Sequence, residues 1–204
     1  MSQKPKSKKK PRDLHSRVYR RYFAQHEEVG HLDEKGRVSI ERIYRGSWTV
    51  QLLDDAALRR ERALLALLYV LAAAAFVFAA LRDLPGNRTW YLSAAHVLAF
   101  AFLAWTLVGL FNYCSDGARM TVGEYRCGAL RFRQGSLLSG AALGACALLY
   151  LLCAALFKTD RGGHLFCAAL SLAAAALLLL ARRTDLRVPC ETIENTAELP
   201  PTSD

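Results

Sequence analysis

The sequence predicts an all-α integral membrane protein: a four-transmembrane-helix bundle, preceded by a cytoplasmic N-terminal segment in which a short β-hairpin is expected. Two observations predict this. Between Ala63 and Ala181 lie four long apolar runs, whereas the first 62 residues carry 16 of the 27 Lys and Arg. The overall 53% hydrophobic and 22% charged residues average over these two populations. The mixture excludes a simple soluble globule and a disordered chain alike.

Residues 1–30 read as a basic cytoplasmic tail. Lys4, Lys6, Lys8, Lys9, Lys10 and Arg12 precede the first acidic residue, Asp13, with no apolar pattern among them. Such a stretch is expected to be disordered and to serve topology or solvation. It is drawn to anionic lipid headgroups by ~1 kcal/mol per basic residue near the surface. No aromatic side chain is interleaved to stack on bases, so no specific nucleic acid is expected.

Residues 31–62 form a juxtamembrane segment. In Arg37–Val50, Val38, Ile40 and Ile43 are separated by polar residues, which predicts one or two short strands. Asp33–Gly36 reads as the turn before them and Gly46-Ser47 as a second turn or bulge. A lone hairpin is marginal in water, so it is expected to rest on the bundle's cytoplasmic end or the membrane surface, with Tyr44 and Trp48 at the interface. Asp54 then reads as the N-cap of the first helix.

The transmembrane domain is read as residues 63–181, with spans at 63–81, 90–111, 136–157 and 163–181. The first offers 19 uncharged residues, which at ~1.5 Å each cover nearly all of a ~30 Å hydrocarbon core. Between the second and third spans, Thr121-Val-Gly-Glu124 fits a capping box, predicting one helix from Thr121 through the third span. A strand over Tyr125–Arg133 is the alternative, against which Ala129, Leu130 and Gln134 lean towards helix. Arg126, Arg131 and Arg133 fall in the first turns of that helix, where they are expected to meet lipid headgroups or a partner. Residues 182–204 form a second cytoplasmic tail.

Orientation follows from basic residues, which resist translocation. The N-terminal segment, the loop from Asn112 to Gly135 and the C-terminal tail share one side, and only Arg82, Arg88, Lys158 and Arg161 lie on the other. Both termini are therefore expected in the cytoplasm. There Cys114, Cys127 and Cys190 stay reduced. Cys146, Cys153 and Cys167 lie within spans, where they read as small apolar filler.

The spans lack Asp, Glu, Lys and Arg, so the counter-charges of an ion-coupled carrier are missing. His96 is the only ionisable residue well inside a span, and a polar contact, with Ser93 for example, suits it better than haem ligation with His164, which lies at a different depth. No metal or cofactor is expected. Ser136, Gly140 and Gly144 recur at four-residue spacing, and Cys167, Ser171, Ala174 and Ala175 give the fourth span a similar face. These small residues predict close packing of the third and fourth helices in preference to dimerisation.

Enzyme signatures are absent: there is no Gly-rich phosphate loop, no His-Glu-x-x-His, no Gly-x-Ser-x-Gly and no Cys-x-x-Cys. The expected function is that of a non-catalytic multi-pass protein of the cell membrane, its Ala- and Leu-rich spans suggesting a bacterial inner membrane. It would serve as an accessory or interaction subunit, partnered by another membrane protein or by itself. The alternative is a small oligomeric transporter or channel for a neutral or apolar solute. A reporter fused at either terminus is expected to stay cytoplasmic, and alkaline phosphatase activity from such a fusion would overturn the orientation.

Overall fold

The computed structural model describes residues 25–32, 38–158 and 160–194. Most of the basic tail, the turn expected at 33–36 and residues 195–204 lie outside the described residues. The chain divides into two units, residues 1–46 with 201–204 and residues 47–200.

In the first unit, β1 (His26–Leu32) pairs antiparallel with β2 (Val38–Tyr44), from His26 opposite Tyr44 to Leu32 opposite Val38. The expected hairpin exists, but its first strand lies partly within what reads as the basic tail. The sequence HEEVGHL has too little alternation to announce a strand, and cross-strand pairing supplies what the pattern lacks. Tyr44 Oη donates to Gln25 Oε1 at 2.9 Å, and Arg45 Nε lies 2.9 Å from Glu27.

The second unit holds α1 (Asp55–Leu81), α2 (Trp90–Ser115), α3 (Val122–Leu156) and α4 (Arg161–Asp185). All four are long and apolar enough to cross a membrane. The starts of α1 and α3 have the predicted chemistry. Asp54 accepts from the Ala57 N–H at 3.2 Å and caps α1. At α3, Thr121 Oγ1 accepts from the Glu124 N–H at 3.2 Å while Glu124 Oε2 accepts from the Thr121 N–H at 2.7 Å. Both bonds satisfy backbone donors that a helix start leaves free. One wide π turn, Arg126–Leu130, interrupts α3 just after its start.

The helices pack in the spatial order α1, α4, α3, α2. The slighter contact between α1 and α2 is made by Tyr69 Oη, which donates to the Leu103 carbonyl at 2.8 Å, and by Phe76 set edge-on to His96. The tightest approach is between α2 and α3. A Cβ on Gly135 would stand 2.5 Å from Thr106 Oγ1 and 3.0 Å from Thr106 Cα, and one on Gly109 would stand 2.7 Å from the Phe132 nitrogen. At this crossing Thr106 donates to the Phe102 carbonyl at 2.8 Å and so accepts from Ser139 at 2.9 Å. Of the small-residue row on α3, Ser136 and Gly140 are buried, and a Cβ on Gly140 would meet the Leu179 side chain at 3.3 Å. A Cβ on Gly144 would meet nothing within 4 Å, so close approach does not extend that far. Cys167 and Ser171 are fully buried on α4.

One end of the bundle carries a three-stranded antiparallel sheet with β3 (Trp48–Gln51) between β4 (Arg119–Thr121) and β5 (Cys190–Ile193). Trp48–Val50, expected as part of the hairpin, belongs instead to this sheet, and the break at Gly46-Ser47 separates the two pairings. The sheet ties together three segments remote in sequence: the approach to α1, the α2–α3 loop and the chain after α4. Arg119 lies over the Trp48 ring at 4.3 Å.

Gly135→Leu is expected to destabilise the bundle by at least the ~1–3 kcal/mol of an overpacked core, lowering both membrane abundance and melting temperature in detergent. Gly144→Leu should leave both near wild type. Equal behaviour of the two variants would refute the α2–α3 close approach.

Candidate functional site

Charged and polar side chains converge at the sheet end. Asp185, in the last turn of α4, is fully buried. A carboxylate there opposes the negative end of the helix dipole and needs a cation. Arg133 of α3 supplies it: Nε pairs with Asp185 Oδ2, Nη2 donates to the Asp185 carbonyl at 3.3 Å, and Nη1 donates to Tyr125 Oη at 2.9 Å. The π turn lets Tyr125 take part. An uninterrupted α-helix would rotate residues eight apart by ~80° from one another, and one extra residue in the turn returns them to nearly the same face.

Arg62, in the second turn of α1, does the same for α2. Nη1 donates to the Asp116 carbonyl, and Nη2 donates to the Gly117 carbonyl at 3.0 Å and to Gln51 Oε1 at 3.2 Å. Its guanidinium also lies 5.0 Å from the centre of the Tyr113 ring. Gln51, the last residue of β3, donates from Nε2 to the buried Tyr113 hydroxyl at 2.5 Å. One arginine thus joins α1, the end of α2 and the central strand.

Glu61 and Asp116 add two further carboxylates to the cluster. Glu61 faces the charge of Asp185. Burial pushes the Asp116 carboxyl above the ordinary carboxylate range, Glu124 adds to the rise and Arg62 opposes it. Among the described residues no group of three or more His, Cys, Asp or Glu is placed to hold a metal ion.

The far end has a second polar cluster, built on the last carbonyls of α1. The Ala79 carbonyl accepts from Tyr150 Oη at 2.9 Å and Asn87 Nδ2 at 3.2 Å, with Cys167 Sγ at 3.8 Å. Asn87 Nδ2 also reaches the Ala80 and Arg82 carbonyls at 3.3 and 2.7 Å. His96 is set against Tyr150, with Nε2 3.2 Å from the hydroxyl, while Ser93 donates to the Asn87 carbonyl. His96 therefore makes the polar contact expected of it, with Tyr150 in place of Ser93. His164 accepts from the Gly86 N–H on Nε2 at 3.1 Å, which leaves Nδ1 to donate to the Asp160 carbonyl at 2.9 Å. Both of its ring nitrogens are taken, and only a glycine fits at 86, where a Cβ would stand 2.5 Å from His164 Nε2.

The three arginines expected at headgroups have three different fates. Arg126 is exposed, and Arg131 is half-buried with its guanidinium 5.9 Å from the centre of the Trp105 ring. Arg133 is turned inward, its side chain 16% exposed, because Asp185 on the adjoining helix binds it. Of the packing residues, Ser136, Gly140, Cys167 and Ser171 are interior, Gly144 is half-buried, and Cys167 sits beside Tyr150 and Cys153 of α3 with its thiol on the Ala79 carbonyl of α1. Sequence reasoning missed Gln51, Arg62, Tyr113, Asn87, Tyr150 and Asp185. Arg62 and Asp185 lie just beyond apolar runs, where a charge ordinarily marks only the end of a span.

Asp185→Ala is expected to cost about 3–5 kcal/mol, because it leaves Arg133 charged, largely buried and unpaired. Asp185→Leu combined with Arg133→Met should recover most of that loss. Thermal unfolding in detergent measures both, and a double variant no better than the single one would contradict a discrete ion pair.

The four long apolar helices make this a multi-pass membrane protein. Neither family models nor curated proteins nor solved structures provide a match to the chain.

Proposed function

We propose that the protein is a non-catalytic accessory or interaction subunit of a membrane complex, seated in a cell membrane with both termini in the cytoplasm. The observation that carries this reading is the division between a closed interior and an elaborated end. Within the spans the interior is filled largely by Leu65, Leu68, Ala72, Leu103, Leu143 and Leu178. Its polar groups lie chiefly towards the two ends, where they bind helix-terminal carbonyls and each other. A path for a solute needs a row of side chains with unspent polar capacity along its length; within the spans the Ser136 and Ser171 hydroxyls are buried without a hydrogen-bond partner, too few to make such a row, and the charged groups brace a scaffold.

The sheet end supports a contact role. The four residues of β5 are exposed along one side of the sheet, and Arg126, Arg183 and Arg187 are exposed at the same end. They suit an acidic partner or anionic headgroups. The imbalance of Lys and Arg between the two sides supports the cytoplasmic assignment of that end.

Affinity purification in a mild detergent, with mass spectrometry and particle mass on one sample, tests the proposal. A stoichiometric membrane partner is expected. Thr192→Pro, which spoils β5 while leaving the spans intact, should reduce its recovery severalfold. A homogeneous homo-oligomer with no partner, conducting a neutral solute in liposomes, would overturn the reading.

A further inference from the structure

Arg82 follows α1 at the end of the bundle away from the sheet and is exposed. Its guanidinium carbon lies 5.8 Å from the ring centre of Phe78 on α1 and 5.8 Å from that of Phe166 on α4. The two rings meet edge to face, with centres 6.2 Å apart. Two aromatic faces from two helices therefore hold the cation, a favourable arrangement for a planar guanidinium. The adjacent carboxylate, Asp83, is 2.9 Å from Arg88 and is spent on it. Among the described residues no carboxylate pairs with Arg82.

The Phe78–Phe166 contact also identifies a seam. Leu71 lies seven residues from Phe78 on α1 and Ala173 seven from Phe166 on α4, so each falls on nearly the same helix face as its ring, and all four residues are exposed. Seven residues rise ~10.5 Å, most of the ~15 Å thickness of one hydrocarbon leaflet. The seam is thus an apolar strip of single-leaflet length, ending at a fixed arginine where the apolar span ends. Phosphate matches the guanidinium fork by accepting two parallel hydrogen bonds, and an acyl chain matches the strip.

We propose that the outer α1–α4 seam binds one anionic phospholipid of the adjoining leaflet, its phosphate on Arg82 and an acyl chain along Phe78, Leu71, Phe166 and Ala173. The charge complementarity comes from Arg82, with Lys158 exposed before α4 and Arg161 exposed at its start, against the exposed carboxylate of Asp160.

Native mass spectrometry tests this on the full chain, released from nanodiscs of equal phosphatidylcholine and phosphatidylglycerol. One retained phosphatidylglycerol is expected. Arg82→Gln should lower its retention about tenfold, the factor that corresponds to losing one charge-assisted contact. Asp83→Asn frees Arg88 beside the site and should raise retention, a gain that misfolding cannot mimic. Equal retention of the two lipids by the wild type, or no difference between the wild type and either variant, would overturn the proposal. Displacement of the lipid by inorganic phosphate alone would also overturn it, because the seam would then contribute nothing.

Discussion

A helix leaves its last carbonyls without partners, and where neighbouring elements bury them water cannot supply the missing bonds. Most of the polar side chains described above answer that constraint. Asn87 and Tyr150 close the end of α1, Arg62 closes the end of α2 and Arg133 closes the end of α4. In each case at least one donor comes from a different element. The bonds that complete one helix therefore also fix its neighbour. This explains why most polar groups gather at the two ends, while the middle is held by apolar contact and by the Tyr69 hydroxyl on the Leu103 carbonyl.

The same constraint accounts for the choice of residue types. Arginine can give two or three donors to carbonyls on one side and still present a flat face to an aromatic ring, as Arg62 does over Tyr113 and Arg133 over Tyr125. A lysine would offer a single point of charge and could not bridge so many acceptors. The carboxylate of Asp185 would be costly alone at the end of α4. With Arg133 beside it, the two charges and the helix terminus form one neutralised unit.

Much of the fold was legible in the sequence, for reasons that differ from element to element. The spans show because twenty or so uncharged residues have few other uses. Asp54 and the Thr121–Glu124 box show because capping is a local event, completed within four residues. The three-stranded sheet does not show, since β4 and β5 are short, carry no alternation, and are paired only through β3, which is distant from both in sequence. The inward turn of Arg133 was illegible for a related reason. A basic residue just outside an apolar run reads as a headgroup contact unless its carboxylate is known, and Asp185 lies in another helix. The π turn is equally hidden, because nothing in Arg126–Leu130 distinguishes a turn of wider pitch.

The placement of β3 at the centre of the sheet has a consequence for biogenesis. During synthesis β3 leaves the ribosome before any membrane helix, β4 follows only after two helices, and β5 only after all four. One edge of β3 must therefore wait unpaired until α4 has been inserted and has returned the chain to the same side. A molecule with a misplaced helix would keep that edge bare and displayed to quality-control proteases. Closure of a three-stranded sheet thus reports that the whole bundle has been threaded in the correct order.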